Sequence, residues 1–188
     1  MTDGPSTRDG PVAGEAARAA DPPETPDAEL DALARGIQER SLARGATIAL
    51  AESCTGGLVA AALTAIPGSS GYFLGGVVSY SNEAKRDLLG VDEATIAAHG
   101  AVSAQVARAM AEGARTRFAA SFAAAVTGIA GPDGGTPEKP IGLTYVAVAG
   151  GAGVDVRRFV WPGDRAANRR DSALAVLEAL RDRVEAGS

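Results

Sequence analysis

Apolar positions change rhythm several times along the chain, and each change marks an element. Leu30, Leu33, Ile37 and Leu42 recur at roughly helical intervals until Gly45, which predicts a first helix with those residues facing the core. Thr47-Ile-Ala-Leu-Ala51 then reads as a short buried strand, followed by a glycine turn and a second helix over about 56–66 that stops at Pro67-Gly68. Phe73–Ser81 (FLGGVVSYS) is β-branched and aromatic enough for a strand. Short helices at about 82–89 and 93–98 lead into a longer one at 103–118, with Ser103 as its expected N-cap. Ala119–Val126 predicts another buried strand, feeding the glycine-rich stretch Thr127–Gly135. Strands at about 141–149 and 153–160 form a hairpin around Gly150-Gly151. A last helix over about 164–186 turns Ala167, Leu174, Leu177 and Leu180 inward. This order predicts an α/β fold, a three-layer α/β/α sandwich with a mixed β-sheet.

Composition narrows the picture at both ends of the chain. Residues 1–27 are Gly, Pro, Ala, Asp and Thr with almost no large apolar side chains, so a disordered N-terminal tail is expected, followed by one domain over 28–188. The net charge is -5 and no Lys/Arg stripe appears, which argues against nucleic acid or an anionic membrane as the main partner. Cys54 is the single cysteine, so no intrachain disulfide forms, and no zinc-type Cys/His cluster is present. No stretch approaches about 18 uninterrupted apolar residues and the N-terminus has no apolar signal core, so a cytoplasmic protein is expected. Positive charge is carried by 16 Arg and only two Lys, Lys85 and Lys139. Arginine cannot give up its proton in a protein whereas a desolvated lysine can, so each lysine is a candidate for proton chemistry.

Open α/β sheets bind ligands beyond the carboxyl ends of their strands, and three polar segments fall there: Glu52–Gly57, Tyr80–Lys85 and Thr127–Gly135. In the first, Ser53 or Thr55 can cap the following helix, or Ser53 can be a nucleophile at a helix N-terminus. The G-x-S-x-G elbow of ordinary α/β-hydrolases is missing. A nucleophilic serine needs a base. His99, the only histidine, sits at an apparent helix end, where a structural role suits it. Lys85, directly after a strand end and partly buried beside Tyr80, can lose its proton if desolvated. Cys54 alternates to the opposite side from Ser53 and reads as a small core residue. Backbone amides near Thr55, Gly56 and Gly57, or near Thr127 and Gly128, are candidates to hold an oxyanion or a carboxamide. Arg165 and Arg169 share one helix face and can fork a phosphate, with Arg157, Arg158 and Arg170 as alternatives.

Five blocks, A-E-S-C-T-G-G at 51–57, Y-S-N-E-A-K at 80–85, H-G-A-V-S at 99–103, G-I-A-G-P-D-G-G at 128–135 and G-D-R at 163–165, resemble the CinA C-terminal domain family in order and spacing. The resemblance spans roughly 29–185. It implies the activity of the stand-alone members, which remove the amide of nicotinamide mononucleotide to give nicotinate mononucleotide and ammonia. It further implies Ser53 as nucleophile, Lys85 as base, Tyr80 as its partner, no metal or cofactor, and a homodimer. The domain that resembles a molybdopterin-binding module in longer CinA proteins is expected to be missing here. The alternative is a non-catalytic module that senses a mononucleotide, in keeping with the competence and damage-inducible associations of the family name.

Overall fold

A computed structural model describes residues 27–187 of the chain; of the tail expected over residues 1–27, residues 1–26 lie outside the described residues. Asp27, assigned above to that tail, belongs to the domain. Its carboxylate accepts from the amides of Glu29 and Leu30 and so caps helix α1, Ala28–Arg44. Gly45, in the left-handed conformation at φ 62°, ends α1 as its glycine suggested. Leu42 corrects the helical reading of that segment. It is 49% exposed, and Ser41 takes the inward position instead.

Strands β1 (Ile48–Glu52), β2 (Phe73–Val78), β3 (Phe122–Gly128), β4 (Leu143–Gly150) and β5 (Gly153–Val160) form one sheet in the order β2-β1-β3-β4-β5. β1 pairs in parallel with both β2 and β3, while β3–β4 and β4–β5 are antiparallel, so the sheet is mixed. The helices between them are α2 (Leu58–Thr64), α3 (Asn82–Leu89), α4 (Glu93–His99) and α5 (Ala104–Phe118), and α6 (Arg165–Ala186) closes the chain. Ser103 caps α5 as expected, accepting from the Val106 amide.

Strand alternation gives the sheet two unlike faces. Ile48, Leu50, Phe122, Val126, Val146 and Val148 pack under α1, α2 and α6 in a core of branched and aromatic side chains. The opposite face is almost all alanine (Ala49, Ala51, Ala123, Ala125, Ala147, Ala149), and lies against Val106, Met110 and Ala114 of α5. Small side chains on this side let α5 come close. Gly113 of α5 is pressed against α3 so tightly that an added Cβ would lie 1.9 Å from the Leu89 carbonyl oxygen. The α6 side is larger, with Leu177 and Leu180 fully buried and Leu174 half-buried against it.

Because β1, β2 and β3 run the same way, Glu52, Val78 and Val126 align in register and their loops leave one edge of the sheet. The first turn of α6 reaches the same edge. No described helix is long and apolar enough to cross a membrane.

Candidate active site

The end of β1 sends consecutive side chains to opposite faces. Glu52 points with Ile48 and Leu50 toward α2, and Ser53 points with Ala49 and Ala51 toward α3 and α5. The Ser53 amide stays tied to the sheet by donating to the Val126 carbonyl at 3.0 Å. Its hydroxyl, in a residue only 8% exposed, lies 3.1 Å from Lys85 Nζ.

Lys85 reaches Ser53 because α3 begins immediately after β2. Ser81 caps α3 through the Ala84 amide, and Lys85, one turn in, projects back under the strand end. Its Nζ donates to the Ser79 carbonyl at 2.7 Å and the Tyr80 carbonyl at 3.5 Å. The residue is 1% exposed, more deeply buried than its sequence setting suggested. Burial without a paired carboxylate holds its ammonium below the ordinary lysine range. A neutral amine in this position keeps two N–H donors for the two carbonyls and turns its lone pair to the Ser53 hydroxyl.

Tyr80 meets Lys85 through its backbone carbonyl, whereas its phenol, in a residue 60% exposed, accepts from Arg165 at 3.2 Å. The expected partner of Lys85 thus meets it through the tyrosine's own peptide, while the phenol turns to Arg165. Arg165 also donates to the Gly131 carbonyl at 2.7 Å, joining the Tyr80 segment to the glycine-rich loop. Arg169, one turn on, donates to the Thr55 carbonyl at 2.7 Å. The two arginines share a face, as their spacing required, and both stand at the site edge. Two of the alternatives lie elsewhere in paired networks, Arg157 with Asp182 and Arg170 with Asp27 and Glu29, while Arg158 lies exposed on the edge strand β5.

The capping assignment for α2 is a correction. Neither Ser53 nor Thr55 caps that helix; Gly57 at its start makes no side-chain cap. Glu52, 2% exposed, does so instead: its carboxylate accepts from the amides of Gly57 (2.9 Å), Val59 (3.2 Å) and Ala60 (2.8 Å) and from the Thr55 hydroxyl (2.7 Å). The Gly56 amide is also committed, to the Ser53 carbonyl at 3.1 Å. The amides left without an oxygen acceptor in this turn are those of Cys54 and Thr55. Sequence reasoning passed over Glu52, although a lone carboxylate ending an apolar strand was the available signal.

Cys54 packs in the larger core, as alternation implied, and burial pushes its thiol up to about 12. A Cβ added at Gly128, the last residue of β3, would lie 2.7 Å from Thr144 Oγ1 and 2.8 Å from the Leu143 carbonyl oxygen of β4 and 3.1 Å from Cys54 Sγ, so the close approach on both sides requires glycine there. Thr127 faces the Ser53 side and donates its hydroxyl to the Ala101 carbonyl at 2.9 Å. His99 closes α4, and its carbonyl accepts from Lys139 Nζ at 2.6 Å. Lys139 also donates to the Val102 carbonyl at 2.9 Å, which fastens the glycine-rich loop to the α4–α5 turn. Asn168, 1% exposed, holds the other side of that loop through the Ala130 carbonyl and receives the Gly163 amide. Trp161 stacks on Phe159 and donates to Ser172, so it belongs to the edge of the core. Among the described residues, no three His, Cys, Asp or Glu side chains converge on a point where a metal ion would sit.

Residues 30–184 match the family described as CinA C-terminal domain. A CinA-like protein of Citrifermentans bemidjiense is 56% identical over 137 residues, covering 73% of this chain and 33% of its own length. A CinA-like protein of Mycolicibacterium paratuberculosis is 57% identical over 145 residues, with 74% and 33% covered. The chain thus spans about a third of the length of these curated relatives. Among solved structures, the competence/damage inducible protein CihA of Agrobacterium tumefaciens superposes with a TM-score of 0.77 at 45% identity, covering 81% of this chain and 93% of that one.

Proposed function

The chain belongs to the CinA C-terminal domain family, and from that membership and its Ser53–Lys85 contact we propose that it is a nicotinamide-nucleotide amidohydrolase. It would hydrolyse the carboxamide of nicotinamide mononucleotide to nicotinate mononucleotide and ammonia, in pyridine-nucleotide salvage. The observation that carries the reading is a buried lysine amine 3.1 Å from a serine hydroxyl, with no carboxylate to keep that amine charged.

In this mechanism neutral Lys85 takes the Ser53 proton as Oγ bonds to the carboxamide carbon. The amides of Cys54 and Thr55 receive the oxyanion, since Gly56 and Gly57 are already committed. The C–N bond breaks as Lys85 passes its proton to the departing nitrogen, which leaves as ammonia. Water then attacks the acyl-enzyme, giving a proton to Lys85, and Ser53 Oγ leaves with that proton restored. The Tyr80 phenol and Arg165, joined at the mouth, are assigned to the substrate, and Arg165 and Arg169 to its phosphate. Thr127 and Gly128 form the opposite wall. No cofactor enters the scheme. A cytoplasmic homodimer completes the reading, supported by edge strand β2, which carries no charge and exposes Leu74 and Val78.

The test is ammonia release from nicotinamide mononucleotide by the wild type and Ser53→Ala, with and without a chelator. Chelator-resistant turnover lost in Ser53→Ala is expected. Tight mononucleotide binding without ammonia release would replace the enzyme with a sensor.

A further inference from the structure

We infer that Glu52 is a positioning residue for the Ser53 site, an inference that rests on the amidohydrolase reading above. A helix leaves its first amides without internal partners, and a complete account of them is possible for α2. Gly57, Val59 and Ala60 donate to the Glu52 carboxylate, and Leu58 donates to the Thr55 carbonyl at 3.4 Å. Ala61 opens the regular ladder by donating to Gly57. The carboxylate that closes this helix comes from the last residue of β1, immediately before the nucleophile.

The turn is consequently held at both ends and in its middle. Ser53 is fixed to β3 through its amide. Thr55 is gripped twice, its hydroxyl by Glu52 at 2.7 Å and its carbonyl by Arg169 at 2.7 Å. What this clamp leaves uncommitted to an oxygen acceptor is the set the reaction uses: the amides of Cys54 and Thr55, beside the Ser53 hydroxyl that faces Lys85. Glu52 faces away from Ser53, so it acts on the reaction through the turn and receives no proton from the serine. Its charge also fills the start of α2, which directs the substrate's phosphate to the arginines instead.

Glu52→Gln keeps the size of the side chain but replaces one acceptor oxygen with an N–H₂ group, which opposes the surrounding donors. A misplaced nucleophile loses reaction rate rather than ground-state binding, so kcat is expected to fall about 10- to 100-fold with KM within about two-fold of wild type. The control is Ala62→Gly, which weakens the same helix without touching the clamp. A kcat that falls as far in Ala62→Gly as in Glu52→Gln, or that stays at wild type in Glu52→Gln, overturns the inference. If Glu52→Gln does not fold, Thr55→Val and Thr55→Ser are compared. The valine variant, without the hydroxyl, is expected to lose more of its kcat than the serine variant, which keeps the hydroxyl; equal rates overturn the inference. If the wild type releases no ammonia, the amidohydrolase reading fails on its own, and the clamp is read from Ser53 sulfonylation by phenylmethanesulfonyl fluoride, with fluoride as the leaving group. Labelling in Glu52→Gln as fast as in wild type then overturns it, and slower labelling upholds it.

Discussion

The contact between Ser53 and Lys85 makes a quantitative demand on a double-mutant cycle. Lys85→Met preserves the length and most of the volume of a side chain that is 1% exposed, and removes the amine. The Ser79 carbonyl loses its 2.7 Å donor, at a cost of about 1–3 kcal/mol for a buried unsatisfied acceptor. Relief from burying an amine offsets part of that cost, so the variant is expected to fold. Removing a general base costs about 10²- to 10⁴-fold in rate, or about 2.7–5.4 kcal/mol of barrier. Ser53→Ala is expected to cost at least as much. If the residues acted separately, the double variant would lose the product of the two factors. Because the amine's lone pair has only the Ser53 proton to take, the double variant is instead expected to match Ser53→Ala within a few-fold. Ammonia release at saturating nicotinamide mononucleotide, on protein shown to be folded by thermal melting, measures all four corners. A multiplicative double variant would refute the dyad, and so would wild-type turnover in Lys85→Arg, where the charge stays but no proton can leave.

Burial lowers the Lys85 pKa from 10.5, so between the lowered value and 10.5 the unfolded chain binds more protons than the folded one. Stability from this group therefore rises with pH across that window, and kcat/KM rises as the amine deprotonates. Melting temperature against pH should climb more steeply for wild type than for Lys85→Met, and parallel curves would contradict the assignment. Arg165→Ala and Arg169→Ala are each expected to raise KM for the mononucleotide about 10- to 100-fold, the worth of a hydrogen bond to a charged group. The loss should be clearly larger on the mononucleotide than on the riboside, which lacks the phosphate; an equal loss on both substrates would remove the arginines from the phosphate. Gly113→Ala, whose Cβ would lie 1.9 Å from the Leu89 carbonyl oxygen, is expected to cost about 2–4 kcal/mol, read as a fall in melting temperature. An unchanged melting temperature would refute so close an approach of α5 to α3.

The layers and the element order were legible because they follow from periodicity. Each strand run, the α5 cap at Ser103 and the glycine stop at Gly45 depend on neighbours within a few residues. The pairing of Ser53 with Lys85 was half legible. The scarcity of lysine in an arginine-rich chain singled Lys85 out, and the strand ends put it on the right edge, but the 3.1 Å contact depends on how α3 packs beside β1. Leu42 and Ser41 exchange places because α1 meets its neighbours along a stripe that the apolar pattern alone does not locate. How Tyr80 meets Lys85 was not legible for a similar reason. Its carbonyl and its phenol serve different partners, Lys85 and Arg165, and a sequence does not separate a residue's peptide from its ring. Glu52 was missed because the amides it accepts from lie five to eight positions ahead, beyond the one-turn reach that capping patterns describe.

The position of Glu52 and Ser53 side by side is itself informative. In a strand, neighbours face opposite layers, so a single step along β1 separates the group that anchors α2 from the group that meets Lys85. Exchanging the two residues would aim a carboxylate at a buried amine and form an ion pair, which would keep that amine charged. It would also leave a serine, too short to accept from three amides, at the start of α2. The order Glu-Ser thus keeps the carboxylate on one face of the sheet, and on the other leaves Lys85 buried without a carboxylate partner, the condition under which it can take a proton.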